Sequence, residues 1–218
     1  MRVSAPISAF VVMAWGSQAT AVTNKPIRNV YTFPKNTFIE SIAARANSEL
    51  LITSMSVPEL FSIDPTAPNP DASIIHTFTN ASGISGIAEM SPDVFALVTG
   101  VFDLASTRAL PGTLAVWTID FTTCANPLVR FITQIENSTI LNGVSRHPTN
   151  PRLLLAADSA LGAVWRVNIT TRTHDIAFSS PLLTPTGTVP GSHLGINGIR
   201  ASEHHVYFTN SAQRFFGR

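Results

Sequence analysis

A segment that recurs four times along the chain is the feature that most constrains its fold. The copies begin at residues 39, 84, 141 and 196, so successive copies are 45, 57 and 55 residues apart. Each copy has a short aliphatic stretch, a few polar residues and then a second apolar run, as in "LNGVSRHPTNPRLLLAADS" (141–159) and "INGIRASEHHVYFTN" (196–210). A unit repeated at this period buries its apolar faces against its own neighbouring copies.

Within and between these repeated segments, the chain consists of short runs rich in β-branched and aromatic residues. These runs are separated by Pro, Gly, Asn and Asp. The predicted strands are 49–55, 59–64, 94–100, 114–120, 152–158, 163–169 and 205–210. A repeating unit of about 40–50 residues with four short strands is one blade of a β-propeller. The sequence therefore predicts an all-β fold of the β-propeller class.

The register of the repeat places four polar residues at equivalent positions, namely Glu40, Ser85, Asn142 and Asn197. The first strand of each propeller blade is the innermost, so we expect these four residues to ring the mouth of the central channel. A glycine follows three of them and allows the backbones to approach closely at the crowded axis. The alternative is that each Asn-Gly pair only forms a turn before a strand.

Composition and charge exclude several classes of protein. Hydrophobic residues make up 44% of the chain and charged residues 12%, with a formal net charge of +1. This chain is neither disordered nor a nucleic-acid binder, because it has no basic patch to attract phosphates. The single cysteine, Cys124, cannot form an intramolecular disulfide, and its turn-like setting in "FTTCANP" predicts a structural thiol.

The N-terminus has the three parts of a secretory signal peptide over residues 1–21. Arg2 supplies the positive charge, 7–16 is a short apolar run, and "ATA" (19–21) has the form of a cleavage site. The apolar run is too short to span a bilayer. A buried N-terminal strand or helix is the alternative. We expect 22–218 to be the propeller domain of a protein that is secreted or resides in the lumen of the secretory pathway.

Three N-x-Ser/Thr triplets begin at Asn80, Asn137 and Asn168. Behind a signal peptide these triplets predict N-glycans on surface loops. Two adjacent histidines, His204 and His205, do not predict a metal site, because neighbouring strand residues point to opposite faces. We expect them in the turn between two strands.

Four stretches carry a resemblance to a known family. They are "FPKNTFIESIAARANSELLITSMSVPELFSIDP", "GIAEMSPDVFALVTG", "LNGVSRHP…LLLAADSALGAVWRVN" and "LGINGIR…VYFTN". These stretches resemble the fungal branch of the SMP-30/gluconolactonase/LRE-like six-bladed β-propellers, from about residue 30 to the end. Some members of that branch are hetero-Diels–Alderases, which join a polyketide-derived o-quinone methide to a terpene such as humulene. The resemblance implies a cofactor-free enzyme of meroterpenoid or tropolone-sesquiterpenoid biosynthesis, with polyketide and terpene substrates.

The length of the chain departs from that family. Six blades need about 300 residues at roughly 50 per blade, whereas the 218 residues here have room for three blades and part of a fourth. We therefore expect about three and a half blades of a propeller that is six-bladed by family. A non-catalytic, truncated propeller is one reading of this length, because propellers serve many unrelated functions.

The resemblance also implies roles for residues at the axis. Asn142 and Asn197 are predicted to donate hydrogen bonds to an enone carbonyl, and Glu40 to orient these amides. Four further residues are predicted to contact the substrate, namely Ser85, Asn210, Phe208 and Trp165. For Phe208 and Trp165 a place in the hydrophobic core is the alternative.

A metal-dependent lactone hydrolase is the second function that the resemblance allows. The gluconolactonases of the wider family bind a divalent ion, and Glu40 and Asn142 match two of their ligands. Asn197 stands where that family has an aspartate. One carboxylate and two amides make a poor site for a hard cation such as Ca²⁺, so we predict no bound metal.

Overall fold

A computed structural model describes residues 27–123, 126–186 and 193–218. The first sheet contains β1 (Ile39–Ala44), β2 (Leu50–Ser54), β3 (Glu59–Ile63) and β4 (Ala72–Thr77). The second region contains β5 (Gly83–Ser91), β6 (Val94–Gly100), the hairpin strands β7 (Phe102–Asp103) and β8 (Arg108–Ala109), then β9 (Ala115–Asp120) and β10 (Leu128–Gln134). The third sheet contains β11 (Leu141–Arg146), β12 (Leu153–Asp158), β13 (Ala163–Asn168) and β14 (Thr173–Ser179). A 3₁₀ turn (Pro181–Leu183) precedes the fourth sheet, which contains β15 (Ile196–Ala201), β16 (Val206–Asn210) and β17 (Phe215–Gly217).

Each sheet is an antiparallel meander, and successive sheets meet through their first strands. β1 packs against β5, β5 against β11 and β11 against β15. These four strands therefore lie next to one another around an axis, with the later strands of each sheet further out. This arrangement is a β-propeller, so the predicted fold class is confirmed. The described residues form three four-stranded blades and one three-stranded blade.

The burial of each strand follows from its place in the blade. The second and third strands are covered on both faces by neighbouring blades, so they are continuous apolar runs such as "LLLAAD" in β12. The fourth strands β4 and β14 are largely exposed. The hydrophobic core therefore lies between blades. Leu97 of blade two packs with Leu51 of blade one, and Val98 packs with Leu154 of blade three.

The glycines behind the axial residues lie where the blades approach most closely. A Cβ atom on Gly86 would be 2.4 Å from the backbone oxygen of Asn142 in the next blade. A Cβ atom on Gly143 would be 2.5 Å from the backbone oxygen of Asn197. The expectation of close backbone approach at the axis is thus confirmed for both glycines.

The structure describes the two adjacent histidines but not the N-terminal segment or the cysteine. His204 and His205 lie in the turn between β15 and β16, as predicted. The proposed signal peptide, 1–21, and Cys124 lie outside the described residues. Within the described part of the chain, no helix has the length and apolar character needed to cross a membrane.

Candidate functional site

The inner strand of every blade is irregular at the residue that the repeat aligns. The strand pairing shifts between Ile39 and Ser41 in β1 and between Ile84 and Ile87 in β5. In β11 and β15 it shifts across the Asn-Gly pair in the same way. Such bulges redirect a side chain out of the regular alternation of a strand. The bulges therefore lie at Glu40, Ser85, Asn142 and Asn197, the four residues in register.

Three of these four residues share one cavity at the axis. Glu40, Asn142 and Asn197 line a cavity of about 120 Å³, together with apolar groups that include Phe38 and Met55. These residues are far apart in the sequence, and the propeller brings them together because each begins the inner strand of a different blade. We call this cavity the axial pocket.

The carboxyl group of Glu40 is electrostatically perturbed. Burial raises the pKa of Glu40 above its ordinary value, and a hydrogen bond with the Asn142 side chain opposes that rise. Burial disfavours the charged form of a carboxyl group, while an amide N–H that donates to it favours the charged form. The Asn142 amide therefore favours the ionised form of Glu40, and burial favours the neutral form more strongly.

The two asparagines differ in their surroundings. Asn142 is buried, with 6% of its surface exposed. Asn197 is half-buried, and its Nδ2 donates a hydrogen bond to Ser211 Oγ at 3.0 Å. An amide nitrogen has two N–H donors, so this bond leaves Asn197 one donor for a ligand. The pocket thus presents two amide groups from neighbouring blades.

Ser85, the fourth residue in register, does not line the axial pocket. It is fully buried, and its backbone oxygen accepts a hydrogen bond from Thr53 Oγ1 at 2.6 Å. Its hydroxyl has no hydrogen-bond partner among the described residues. Ser85 therefore lies outside the axial pocket, and its contact with a ligand stays a prediction.

The three other predicted substrate contacts have structural roles. Asn210 donates from Nδ2 to the backbone oxygens of Leu182, at 2.8 Å, and Thr184, at 3.0 Å, which fixes the loop before β15. Phe208 packs in the core between blades three and four, and Trp165 in the core between blades two and three. None of the three lines the axial pocket. For Phe208 and Trp165 the structure supports the alternative of a core position.

A buried carboxylate that the sequence did not single out as important holds blade three together. Asp158, fully buried at the end of β12, accepts hydrogen bonds from the backbone N–H groups of Thr139, Ile140 and Leu161. It also accepts from the Thr139 hydroxyl and from Trp165 Nε1. Asp158 and Asn210 occupy equivalent positions in blades three and four, since each pairs with the first residue of the inner strand of its own blade. The sequence signal for this buried position is the dipeptide Asp-Ser or Asn-Ser at the end of the second strand in the third and fourth repeats.

A second feature that sequence reasoning missed is the hairpin β7–β8. Residues 101–114 join β6 to β9, whereas only four residues join the equivalent strands of the other blades. The tip of this hairpin brings Asp103, Leu104, Thr107 and Arg108 to the axial pocket. The sequence signal for this insertion is the spacing of the repeats, which is 57 residues after the second repeat and 45 after the first.

The axial pocket does not fit a divalent cation. The part of the chain that the structure describes contains no group of three or more His, Cys, Asp or Glu side chains arranged to hold a metal. The polar groups that line the pocket are the carboxyl groups of Glu40 and Asp103, two amides and the guanidinium of Arg108, whose positive charge repels a cation. Hard cations prefer several carboxylate and carbonyl oxygens. The arrangement suits hydrogen bonding to a neutral ligand with a polar oxygen.

Comparisons with known proteins agree with the resemblance drawn from the sequence. The chain is 28% identical over 216 residues to a candidate hetero-Diels-Alderase of Sarocladium schorii, covering 89% of this chain and 53% of that protein. It is 23% identical over 206 residues to a candidate hetero-Diels-Alderase of a Phoma species, covering 85% of this chain and 58% of that protein. The chain thus spans about half the length of the curated relatives it matches. No protein-family model matches it.

Solved structures support the fold. A crystal structure of a candidate gluconolactonase superposes with a TM-score of 0.54 at 13% identity, covering 82% of this chain and 62% of that one. A protein of unknown function from Bacteroides thetaiotaomicron superposes with a TM-score of 0.54 at 16% identity, covering 79% of this chain and 38% of that one. At this level of identity the likeness concerns the fold alone. The two curated relatives confirm the resemblance to hetero-Diels–Alderases that was drawn from the sequence, and the solved structures confirm the propeller fold.

Proposed function

We propose that this chain belongs to an enzyme of secondary metabolism that catalyses a hetero-Diels–Alder cycloaddition. The substrates would be a polyketide-derived o-quinone methide and a terpene alkene. The two curated relatives support the class of reaction. The observation that carries the proposal is the axial pocket, in which Glu40, Asn142 and Asn197 converge from three blades.

The chemistry of a cycloaddition matches what this pocket offers. The C=C–C=O unit of the quinone methide and the alkene form one C–C and one C–O bond. Three π bonds are consumed, the C=C and C=O of that unit and the C=C of the alkene, and one new C=C bond forms as the ring becomes aromatic. No proton, electron or leaving group is exchanged, so the reaction needs neither a nucleophile nor a base. It needs the two partners held in one reactive pose and donors aimed at the oxygen where charge develops.

Each residue of the pocket has a role in this proposal. The Asn142 and Asn197 amides donate hydrogen bonds to the carbonyl oxygen, which makes the C=C–C=O unit a better electron acceptor. Glu40 hydrogen-bonds Asn142 and so positions its amide rather than taking part in the chemistry. Apolar groups such as Phe38 and Met55 contact the ring of the substrate and exclude water.

The first test replaces Asn197 with alanine. We expect cycloadduct formation to fall about 10²-fold, the usual loss for one donor to a developing oxyanion. Stability should change by less than about 1 kcal/mol, because Asn197 is half-buried and loses one neutral hydrogen bond. The measurement supplies an o-quinone methide generated in solution together with humulene, and quantifies adduct and stereoisomer ratio by chromatography.

Ser211→Ala is the matched control for this test, because it removes the same hydrogen bond and keeps the amide. We expect this variant to retain most of the activity. Full product formation by Asn197→Ala would contradict the proposed role of the axial amides.

We also propose that the protein works in the secretory pathway and carries N-glycans. Asn80 and Asn137 are exposed in turns, which leaves both side chains accessible to a glycosyltransferase. Asn168 is half-buried, and its Oδ1 accepts the backbone N–H groups of Thr170, at 3.0 Å, and Thr171, at 3.1 Å. We expect glycans at Asn80 and Asn137 and lower occupancy at Asn168. The mass of the secreted protein before and after glycosidase treatment checks this, and an unchanged mass would refute it.

A further inference from the structure

The hairpin β7–β8 is an ordered element that covers one side of the axial pocket. Its base is fixed by hydrogen bonds, since the Phe102 N–H donates to Ser82 Oγ at 2.8 Å and the Val101 N–H donates to Thr113 Oγ1 at 3.1 Å. The side chains of Phe102 and Ala109 are buried in the core between blades two and three. The hairpin therefore holds its tip residues in a defined position over the axis.

Arg108 is the cation that this hairpin brings to the pocket. Its side chain lines the axial pocket, and among the described residues it forms no salt bridge and no side-chain hydrogen bond. The neighbouring acid on the hairpin, Asp103, already accepts hydrogen bonds from Ser106 Oγ at 2.6 Å and from the Ala105 N–H at 3.0 Å. A guanidinium has five donors and no acceptor, so Arg108 retains its hydrogen-bonding capacity for a ligand.

A second cavity begins on the other side of Arg108. It has a volume of about 510 Å³, and its apolar lining includes Ala109, Pro111, Ile140 and Ala160. Arg108 and Ile140 line both this cavity and the axial pocket. The two spaces are thus neighbours, and both have mixed linings: amides, carboxyl groups and apolar side chains line the smaller, and apolar side chains together with Glu136 and Asn137 line the larger. We call the larger one the outer groove.

We infer that Arg108 binds the carbonyl oxygen of the quinone methide. The inference rests on the proposed function and adds a donor from blade two to the amides of blades three and four. A charged donor is roughly twice as strong as a neutral one. Arg108 therefore supplies the larger part of the polarisation of the C=C–C=O unit.

The experiment measures ligand binding and turnover separately. The binding probe is 2-hydroxyacetophenone, a stable planar ketone with an ortho hydroxyl group, titrated by calorimetry. We expect Arg108→Met to weaken its binding at least tenfold and Arg108→Lys to recover part of the loss, because lysine keeps the charge without the planar fork. Arg152→Met is the control, since Arg152 is exposed as Arg108 is but lines neither cavity, and it should bind the probe as the wild type does.

Turnover is measured with the o-quinone methide and humulene on the same variants. Loss of both probe binding and adduct formation in Arg108→Met supports the inference. Binding of the probe by Arg108→Met with wild-type affinity overturns it, as does a wild-type protein that does not bind the probe. A wild type that binds through Arg108 yet forms no adduct supports the carbonyl site and rejects the proposed cycloaddition, so the two failures are distinguishable.

Discussion

At the scale of single residues, the burial of Glu40 in the axial pocket lowers the stability of the folded protein at neutral pH. Its carboxyl group is part of the axial pocket, where burial raises its pKa. The folded state therefore favours the protonated form more strongly than the unfolded chain does. The stabilisation from protonated Glu40 is complete below its pKa in the unfolded chain and is lost as the pH rises through the raised pKa of the folded state.

This linkage predicts the effect of Glu40→Gln. The amide cannot ionise, so we expect the variant to melt at a higher temperature than the wild type at pH 7 and at the same temperature near pH 4. Adduct formation should fall, because the glutamine holds the Asn142 amide less well than a carboxylate does. Melting temperatures between pH 4 and pH 8 test this, and a difference that does not grow with pH would show that Glu40 is not destabilised by burial.

At the scale of structural elements, Arg45 links the end of β1 to the turn between β5 and β6. Its guanidinium donates from Nε to Asp93 Oδ1 at 2.8 Å and from Nη2 to Asp93 Oδ2 at 2.7 Å. It also donates to Glu49 and lies 4.0 Å from the centre of the Phe121 ring. The Arg45 side chain is 13% exposed, so this bidentate pair is largely shielded from solvent and connects blades one and two.

We expect Asp93→Asn to lower the free energy of unfolding by about 2 kcal/mol at pH 7. Asparagine suits the backbone at this position, where φ is +59°, so the change isolates the charge. The hydrogen bond with Arg45 lowers the pKa of Asp93. Its stabilisation is therefore present above the pKa of the unfolded chain and is lost as the pH falls through the lowered folded value.

Urea denaturation of Asp93→Asn at pH 7 and pH 3 measures both effects, and the gap to the wild type should narrow in acid. Asp175→Asn is the control, because the Arg166–Asp175 pair is exposed and lies within one blade. It should leave stability unchanged. Equal losses from the two variants would contradict the idea that Arg45 joins the blades.

At the scale of the whole molecule, the blades are held by close contact of their inner strands. Gly143 has the backbone of Asn197 against it, whereas a Cβ atom on Gly198 would meet only Thr209 Oγ1, at 3.3 Å. The two glycines occupy the same place in the repeat and differ in what packs against them. Replacing each with alanine therefore measures the contact between blades directly.

We expect Gly143→Ala to lower the free energy of unfolding by about 2 kcal/mol, since the added methyl group forces the inner strands apart. Gly198→Ala should change it by less than about 0.5 kcal/mol. Chemical denaturation of both variants tests the difference. A Gly143→Ala variant as stable as the wild type would show that the strands move apart without cost.

The sequence by itself determined the middle strands of the blades and the class of fold. The predicted strands 94–100 and 163–169 match β6 and β13 to within a residue, because β-branched runs bounded by turn residues are locally encoded. The repeat also aligned Glu40, Asn142 and Asn197, since equivalent positions of successive blades must meet at the axis. These conclusions needed only local pattern and periodicity.

The tertiary structure alone decided which polar and aromatic groups reach the pocket. Ser85 shares the register of Asn142 but is covered, and Phe208 and Trp165 lie between blades because the middle strands are packed on both faces. Arg108 enters through a hairpin inserted in one blade, and the longer repeat spacing does not show which residues of that insertion reach the pocket. The physical reason is that the residue pattern of a strand determines which side chains share a face of the sheet, whereas the packing of distant segments determines what each face contacts.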